Sequence, residues 1–545
     1  MRDFWARSGP TPGIRTGPGL RALLLVASAL AGSASLAQDR LSEAALGGGP
    51  ASDPLSTIDW LSDSLADPSS LRPEGRAPPL AGDGSALAPE VTVTPLDAPE
   101  SGAIGLVPAA ASGLPSGLWG QSAVDTLVER LAALPDRPLP AARDALKRVI
   151  LARLDPPRGG GAPGALTVAR IDTLLRWGAL DEAAALLAQA GTARPDLFRR
   201  AFDIALLQER EQSACTQLEA APGIAPSIPA HIFCLARSGD WAAAALTLDT
   251  AEALGEIDAA EEALLARFLD LDESDAALPA RPGSGPLSPL EWRMLEAVGE
   301  RRSTVALPVA FAHAELRPTS GWKARVEATE RLVRVGALPP SRLAAVYAER
   351  APAASGGVWE RVAAVQALEA ALQRGQPRAV ARQLEPAWEA LSAVGLGPAF
   401  AALYAPRLTP LDLAGPEATL AHRIALLGPD YEAVALAPPP DADPVARALA
   451  RGEAPPPDGA ALGPLGRTLG AAFALPLPEA PASLARLQST DRLGEALLAA
   501  LDTLADGARA DPADLTGALV FLRGAGLEDT ARRAALQIYL AESGA

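Results

Sequence analysis

Three histidines, two cysteines and 65 carboxylates are the chemical resources of this 545-residue chain. Histidine is the usual proton carrier near neutral pH, so acid–base chemistry is sought first at His231, His313 and His422. Each lies in an Ala- and Leu-rich helical stretch, where a capping or half-buried structural imidazole is expected. The sequence has no H-E-x-x-H, no G-x-S-x-G and no Walker loop, since neither Lys147 nor Lys323 follows a glycine. The glycine run at 159–164 precedes a helix but follows no strand, and reads as a linker. DLDESD at 270–275 begins like a calcium loop. Asp275, however, stands where the turn glycine belongs and Arg281 where the bidentate glutamate belongs, so a solvated acidic helix end is expected. A pair of carboxylates would suffice for glycan hydrolysis, which keeps an envelope enzyme of that type as the alternative to a binding protein. No catalytic residue, cofactor or metal ligand is assigned.

The elements that would carry these residues are helical. Apolar residues make up 49% of the chain and aromatic ones only 4%. Alanine combines the best helix propensity with little bulk, so closely packed helices are expected and sheets are not. VDTLVERLAAL, ALTVARIDTLLRWG and DEAAALLAQA place apolar residues at i, i+3, i+4 and i+7. Glycine and proline breakers recur every 12–20 residues. Richer breaks at 277–290 and 437–459 divide the helical part into segments 116–276, 291–436 and 460–545, and VTVTP at 91–95 is the one strand-like run. The scarcity of lysine (Lys147 and Lys323) and the absence of asparagine read as codon bias in a GC-rich genome, and leave no Asn-x-Ser/Thr glycosylation site. The net charge of −17 opposes binding to nucleic acid or an anionic membrane, and favours solubility or a basic partner.

The N-terminus reads as a secretory signal peptide over residues 1–37. Arg2, Arg7, Arg15 and Arg21 precede the apolar run ALLLVASALA at 22–31, and Ser35 and Ala37 suit cleavage before Gln38. An uncleaved anchor is the alternative, though the run is short for a span of about 20 residues. Residues 38–115, rich in Pro, Gly, Ser and Ala, read as a disordered leader. Within it, Ile58, Trp60, Leu61 and Leu65 form an amphipathic island, either a docking peptide for a partner or a segment tucked onto its own helical domain. SGLPSGLWGQS at 112–122 is a second island, and no later segment is apolar enough to cross a bilayer.

Residues 170–260 carry a pattern. In LLRWGALDEAAALLAQAGTARP, Gly178 ends one helix, Ala183, Leu187 and Ala190 form the packing face of the next, and Pro195 stops the segment. ARSGDWAAAALTLDTA repeats it with Gly239, Trp241, Ala244, Leu248 and Ala251. LLQEREQSACTQL fits between them, with Arg210 at the turn and Cys215 at the small-residue position. The turns at 178, 210 and 239 lie 32 and 29 residues apart. This resembles the tetratricopeptide repeat. Weaker echoes of LLRWGAL appear as LVRVGAL at 332–338 and FLRGAGL at 521–527. The resemblance implies an all-α, irregular array of helix hairpins, an α-solenoid, with an irregular helical bundle as the alternative.

It also implies that Cys215, on the second helix of one unit, packs beside Cys234 on the first helix of the next. In an oxidising compartment two cysteines suggest one disulfide. A metal site with His231 and a pair of buried thiols are the alternatives. The array is also similar in general character to the superhelix of soluble lytic transglycosylases, where a separate catalytic domain follows. Here a hairpin at 513–541 is the last feature, so that likeness reaches only the non-catalytic part and implies no activity. The expected protein is a periplasmic, non-enzymatic scaffold for another envelope protein, with a purely structural secreted protein as a further alternative.

Overall fold

Proline and glycine divide the labour at helix ends. Proline's fixed φ and missing N–H suit the first helical turn, while glycine tolerates the left-handed residue that ends a helix. In the computed structural model this punctuation produces an all-α array of helix hairpins. The structure describes residues 104–271, 286–456 and 462–542. The signal peptide, most of the leader, the island at Ile58, Trp60, Leu61 and Leu65, VTVTP and most of the acidic run at 270–275 lie outside the described residues.

A strand of two residues, β1 (Val107–Pro108), leads into α1 (Ala109–Ser112). Then come α2 (Val124–Ala133), α3 (Pro140–Leu151) and a second short strand, β2 (Ala152–Arg153), parallel to β1. This pairing has no signal in the sequence; it is held by a buried cation. The Arg170 guanidinium donates to the carbonyls of Ile150, Ile104 and Ala152 at 2.6, 2.8 and 3.0 Å.

Three hairpins follow: α4 (Ala165–Arg176) with α5 (Leu180–Ala190), α6 (Pro195–Leu207) with α7 (Glu211–Ala220), and α8 (Ile228–Ser238) with α9 (Trp241–Leu254). Each turns on one left-handed residue, Gly178, Glu209 or Gly239. The next amide reaches back five residues, from Ala179 to Leu174, Arg210 to Ala205 and Asp240 to Leu235. This is a Schellman closure. The middle turn therefore pivots on Glu209, one residue before the expected Arg210. Pro195 opens α6 rather than stopping α5, which already ends at Gly191. Ala183, Leu187, Ala244, Leu248 and Ala251 are buried as the pattern requires.

The chain continues through α10 (Ala259–Phe268) and α11 (Pro289–Ala297), which returns to pack on α6. A 3-10 segment, Val309–Glu315, then lies against α4, α6 and the next helix, α12 (Trp322–Arg334). Hairpins resume with α13 (Pro340–Ala348), α14 (Val358–Gln373), α15 (Pro377–Ser392), α16 (Gly397–Leu408) and α17 (Gly415–Leu426). The array ends with α18 (Tyr431–Leu436), α19 (Pro444–Arg451), α20 (Pro464–Ala471), α21 (Ala482–Ser489), α22 (Leu493–Ala505), α23 (Pro512–Gly524) and α24 (Glu528–Glu542). The echoes LVRVGAL and FLRGAGL end in the same closure as LLRWGAL, on Gly336 and Gly526.

The two ends of this array meet. α3 packs against both α22 and α24, and α2 against α22. Leu127, Leu131, Leu146 and Ile150 share one apolar cluster with Leu498, Leu501, Leu536 and Ile538. A second cluster covers 322–424, and a third lies within 198–295. The seam is specific. Gln121 N–H donates to the Asp491 carbonyl at 2.7 Å, Gly494 N–H to the Leu118 carbonyl at 2.8 Å, and Ala141 N–H to Gln537 Oε1 at 2.9 Å. Trp119, 2% exposed, lies over Gly494, where a Cβ would come within 2.5 Å of its ring. The glycine run expected to be a linker is part of this packing. Val124 N–H bonds the Gly160 carbonyl at 2.9 Å, and a Cβ on Gly159 would strike the backbone of Gln121 and Ser122 at 2.5 Å.

Candidate binding surfaces

The histidines sit on three different elements. His231 is on α8. His313, in the 3-10 segment, places Nε2 2.7 Å from the carbonyl of Gly178 and so ties that segment to the α4–α5 turn. Burial lowers the affinity of His313 for a proton, against a smaller opposing effect of the Gly178 carbonyl. His422, on α17, is likewise pushed down by burial and then by nearby Arg447. His313 therefore holds a structural contact, His422 Nε2 is buried without a hydrogen-bond partner, and neither ring lines either of the two grooves described below.

Cys215 on α7 and Cys234 on α8 are joined in a disulfide, with Cα atoms 5.1 Å apart. Both sulfurs are thereby removed from the metal set proposed around His231. No group of three or more His, Cys, Asp or Glu side chains placed to hold a metal occurs among the described residues.

The buried acids each face a partner, although Glu211 Oε2 itself has none. Glu495 lies between Arg130 at 3.3 Å and Arg492 at 2.6 Å. Glu330 accepts from Tyr347 at 2.6 Å and from Arg361 at 2.7 Å. Glu211 faces Arg293 at 3.1 Å. Two carboxyls are displaced upward: Asp203, which burial lifts to about 6, and Asp502, raised by burial and then by Asp506 one turn away. Neither lines either groove.

The first groove, about 530 Å³, lies between α2 and α4 and is walled by Val128, Ala132 and Val168. Its two carboxylates are paired, Asp172 with Arg200 outside the lining at 2.5 Å and Asp196 with Arg194 at 2.6 Å. The second, about 490 Å³, opens where the loop at 305–309 returns beside the ends of α4 and α12, and arginine dominates its polar lining.

Helix α9 differs from both in the large apolar side chains it leaves exposed. Its inward positions Ala244, Leu248 and Ala251 are buried, yet Trp241, Leu246 and Leu254 remain 53%, 67% and 71% exposed. In the sequence pattern Trp241 is a match to the repeat just after the turn at Gly239. The exposure of these side chains has no signal in the sequence because the apolar residues of WAAAALTLDTAEAL are spread around the helix, so its periodicity does not show which side faces water.

No helix among the described residues is long and apolar enough to cross a membrane. No family model, curated protein or solved structure matches the chain.

Proposed function

We propose that this chain is a periplasmic scaffold whose helical array holds another envelope protein, with the N-terminal leader as its tether. The observation that carries this reading is the exposure of Trp241, Leu246 and Leu254 on α9. A tryptophan and two leucines left in water on one helix offer apolar surface for a partner to cover, and tryptophan is among the residues that dominate interface energies. The disulfide between Cys215 and Cys234 supports an oxidising compartment. The hairpin architecture supports recognition by surface over chemistry, because packed helices offer long rigid faces. The partner is expected to present an apolar stripe, for instance one face of an amphipathic helix.

A photo-crosslinking residue at Leu246 tests this in intact envelopes. The same envelope protein should be recovered repeatedly from position 246, and the yield should fall when Trp241 is changed to Asp. Recovery that is unaffected by Trp241→Asp, or no protein adduct at all, removes the scaffold reading.

A further inference from the structure

The second groove gathers positive charge on a chain of net charge −17. Arg137 comes from the loop between α2 and α3, Arg176 from the end of α4, and Arg331 and Arg334 from the last turn of α12. One carboxylate shares the lining: Asp136, 3.8 Å from Arg176 Nε and largely in solvent.

Two of the four cations have structural duties. Arg176 donates to the carbonyls of Leu131, Ala132 and Leu134, each at 2.7 Å, and so caps the end of α2. Arg331 donates to the carbonyls of Thr304 at 2.9 Å and Leu307 at 3.0 Å, which holds the returning loop in place. Arg137 and Arg334 have no such duty. Neither makes a hydrogen bond or ion pair among the described residues, and Arg334 Nε is buried without an acceptor. The side chains also feel one another. Arg331 and Arg334 are lowered first by burial; Glu330 opposes this at Arg334, and Arg137 adds a repulsion to each. Like charges held together at a partly buried site cost stability unless an anion joins them.

The other wall is apolar, formed by residues 305–309 (Val, Ala, Leu, Pro and Val) with Val335 beside them. The volume of about 490 Å³ is in the range of small-molecule sites and leaves room beyond a single anionic group. Guanidinium forks match phosphate oxygens two at a time, and a dianion answers two unpaired cations.

We infer that this basin binds a phosphomonoester, with its phosphate between Arg137 and Arg334 and its organic body against the apolar wall at 305–309. Arg331 positions the wall and Arg176 the opposite rim. This site is separate from the exposed side chains of α9 and does not depend on them.

Isothermal titration of the full chain with inorganic phosphate and with phenyl phosphate tests the inference. Both should bind saturably below about 10 mM, phenyl phosphate the more tightly by about threefold or more. The double variant Arg137→Gln/Arg334→Gln should weaken phenyl phosphate by about tenfold or more. Without ligand, the variant should melt close to the parent, because it loses the repulsion between Arg137 and Arg334 together with the attraction of Glu330 for Arg334, and no hydrogen bond. Arg334→Lys keeps the charge, loses the fork, and should bind at an intermediate level. The inference is overturned by any one of three results: no saturable binding, phenyl phosphate no tighter than inorganic phosphate, or undiminished binding by the double variant.

Discussion

Changing Trp119 to Ala should loosen two parts of the chain that lie almost 400 residues apart in sequence. Trp119 is 2% exposed and covers Gly494, and its neighbour Leu118 accepts the Gly494 amide at 2.8 Å. Truncating a buried tryptophan costs about 3–5 kcal/mol, through lost transfer energy and a cavity that the helices only partly fill. The glycine beneath has no side chain to swing into the space, so the upper part of that range applies. A local loss of about 4 kcal/mol corresponds to about a thousandfold faster amide exchange wherever protection depends on the seam. Hydrogen exchange read by mass spectrometry should show that acceleration in α2 and α3 and, equally, in α22 and α24. The third core, within 198–295, should keep its protection. Acceleration confined to peptides near residue 119 would show that the two ends are stable separately and would sink the argument.

Two further perturbations follow from the same structure. Replacing Cys215 and Cys234 together by Ala opens a cross-link spanning 19 residues and should cost about 3 kcal/mol in chain entropy. The loss should appear as earlier urea unfolding of the 198–295 core, and a shift below about 1 kcal/mol would mean that packing alone holds α7 to α8. Asp203 gives a pH signature. Its folded pKa of about 6 lies above the ordinary 3.8, so the folded state holds the proton more tightly. Its contribution to stability is therefore greatest at low pH and is lost as pH rises from about 4 to 6. Asp203→Asn should remove this slope and stabilise the protein at neutral pH by about 1–2 kcal/mol, less than the full shift because water reaches part of the side chain. Chemical denaturation across that pH window checks it, and an unchanged slope would place the proton elsewhere.

The hairpins were legible because their signals are local. Apolar spacing in α4 and α5, the glycine at 178 and the small residues at 183 and 244 are all set by neighbours within one turn of helix. The recurrence of LLRWGAL at three places reported a shared turn, although no fixed period connects them. The cysteine pairing followed from the same logic, since successive hairpins must touch. What escaped is long-range. Nothing near Gly494 marks it as the seat of Trp119, and the glycines at 159–164 look alike in a linker and in a tight backbone crossing. Arg137 and Arg334 are ordinary surface residues until folding brings them together from nearly 200 positions apart. Trp241 matches the repeat at the position after the turn, and its exposure escaped because it depends on neighbouring helices that the local pattern does not show.

The seam between the first and last helices has a consequence for how such a chain can change. An open stack of hairpins grows or shrinks by whole units, provided that polar units cover its two ends. Here the ends cover one another. Gly494 fits under Trp119, and Gln537 reaches the start of α3 at Ala141. A duplicated hairpin inserted between α12 and α17 would carry α22 and α24 away from α3 and expose both apolar faces at once. Lengthening therefore has to occur in excursions that return to their starting point, as the stretch from α6 to α11 does. The number of units around the main circuit is fixed by closure, in the way that blade number is fixed in a propeller, while its branches remain free to vary.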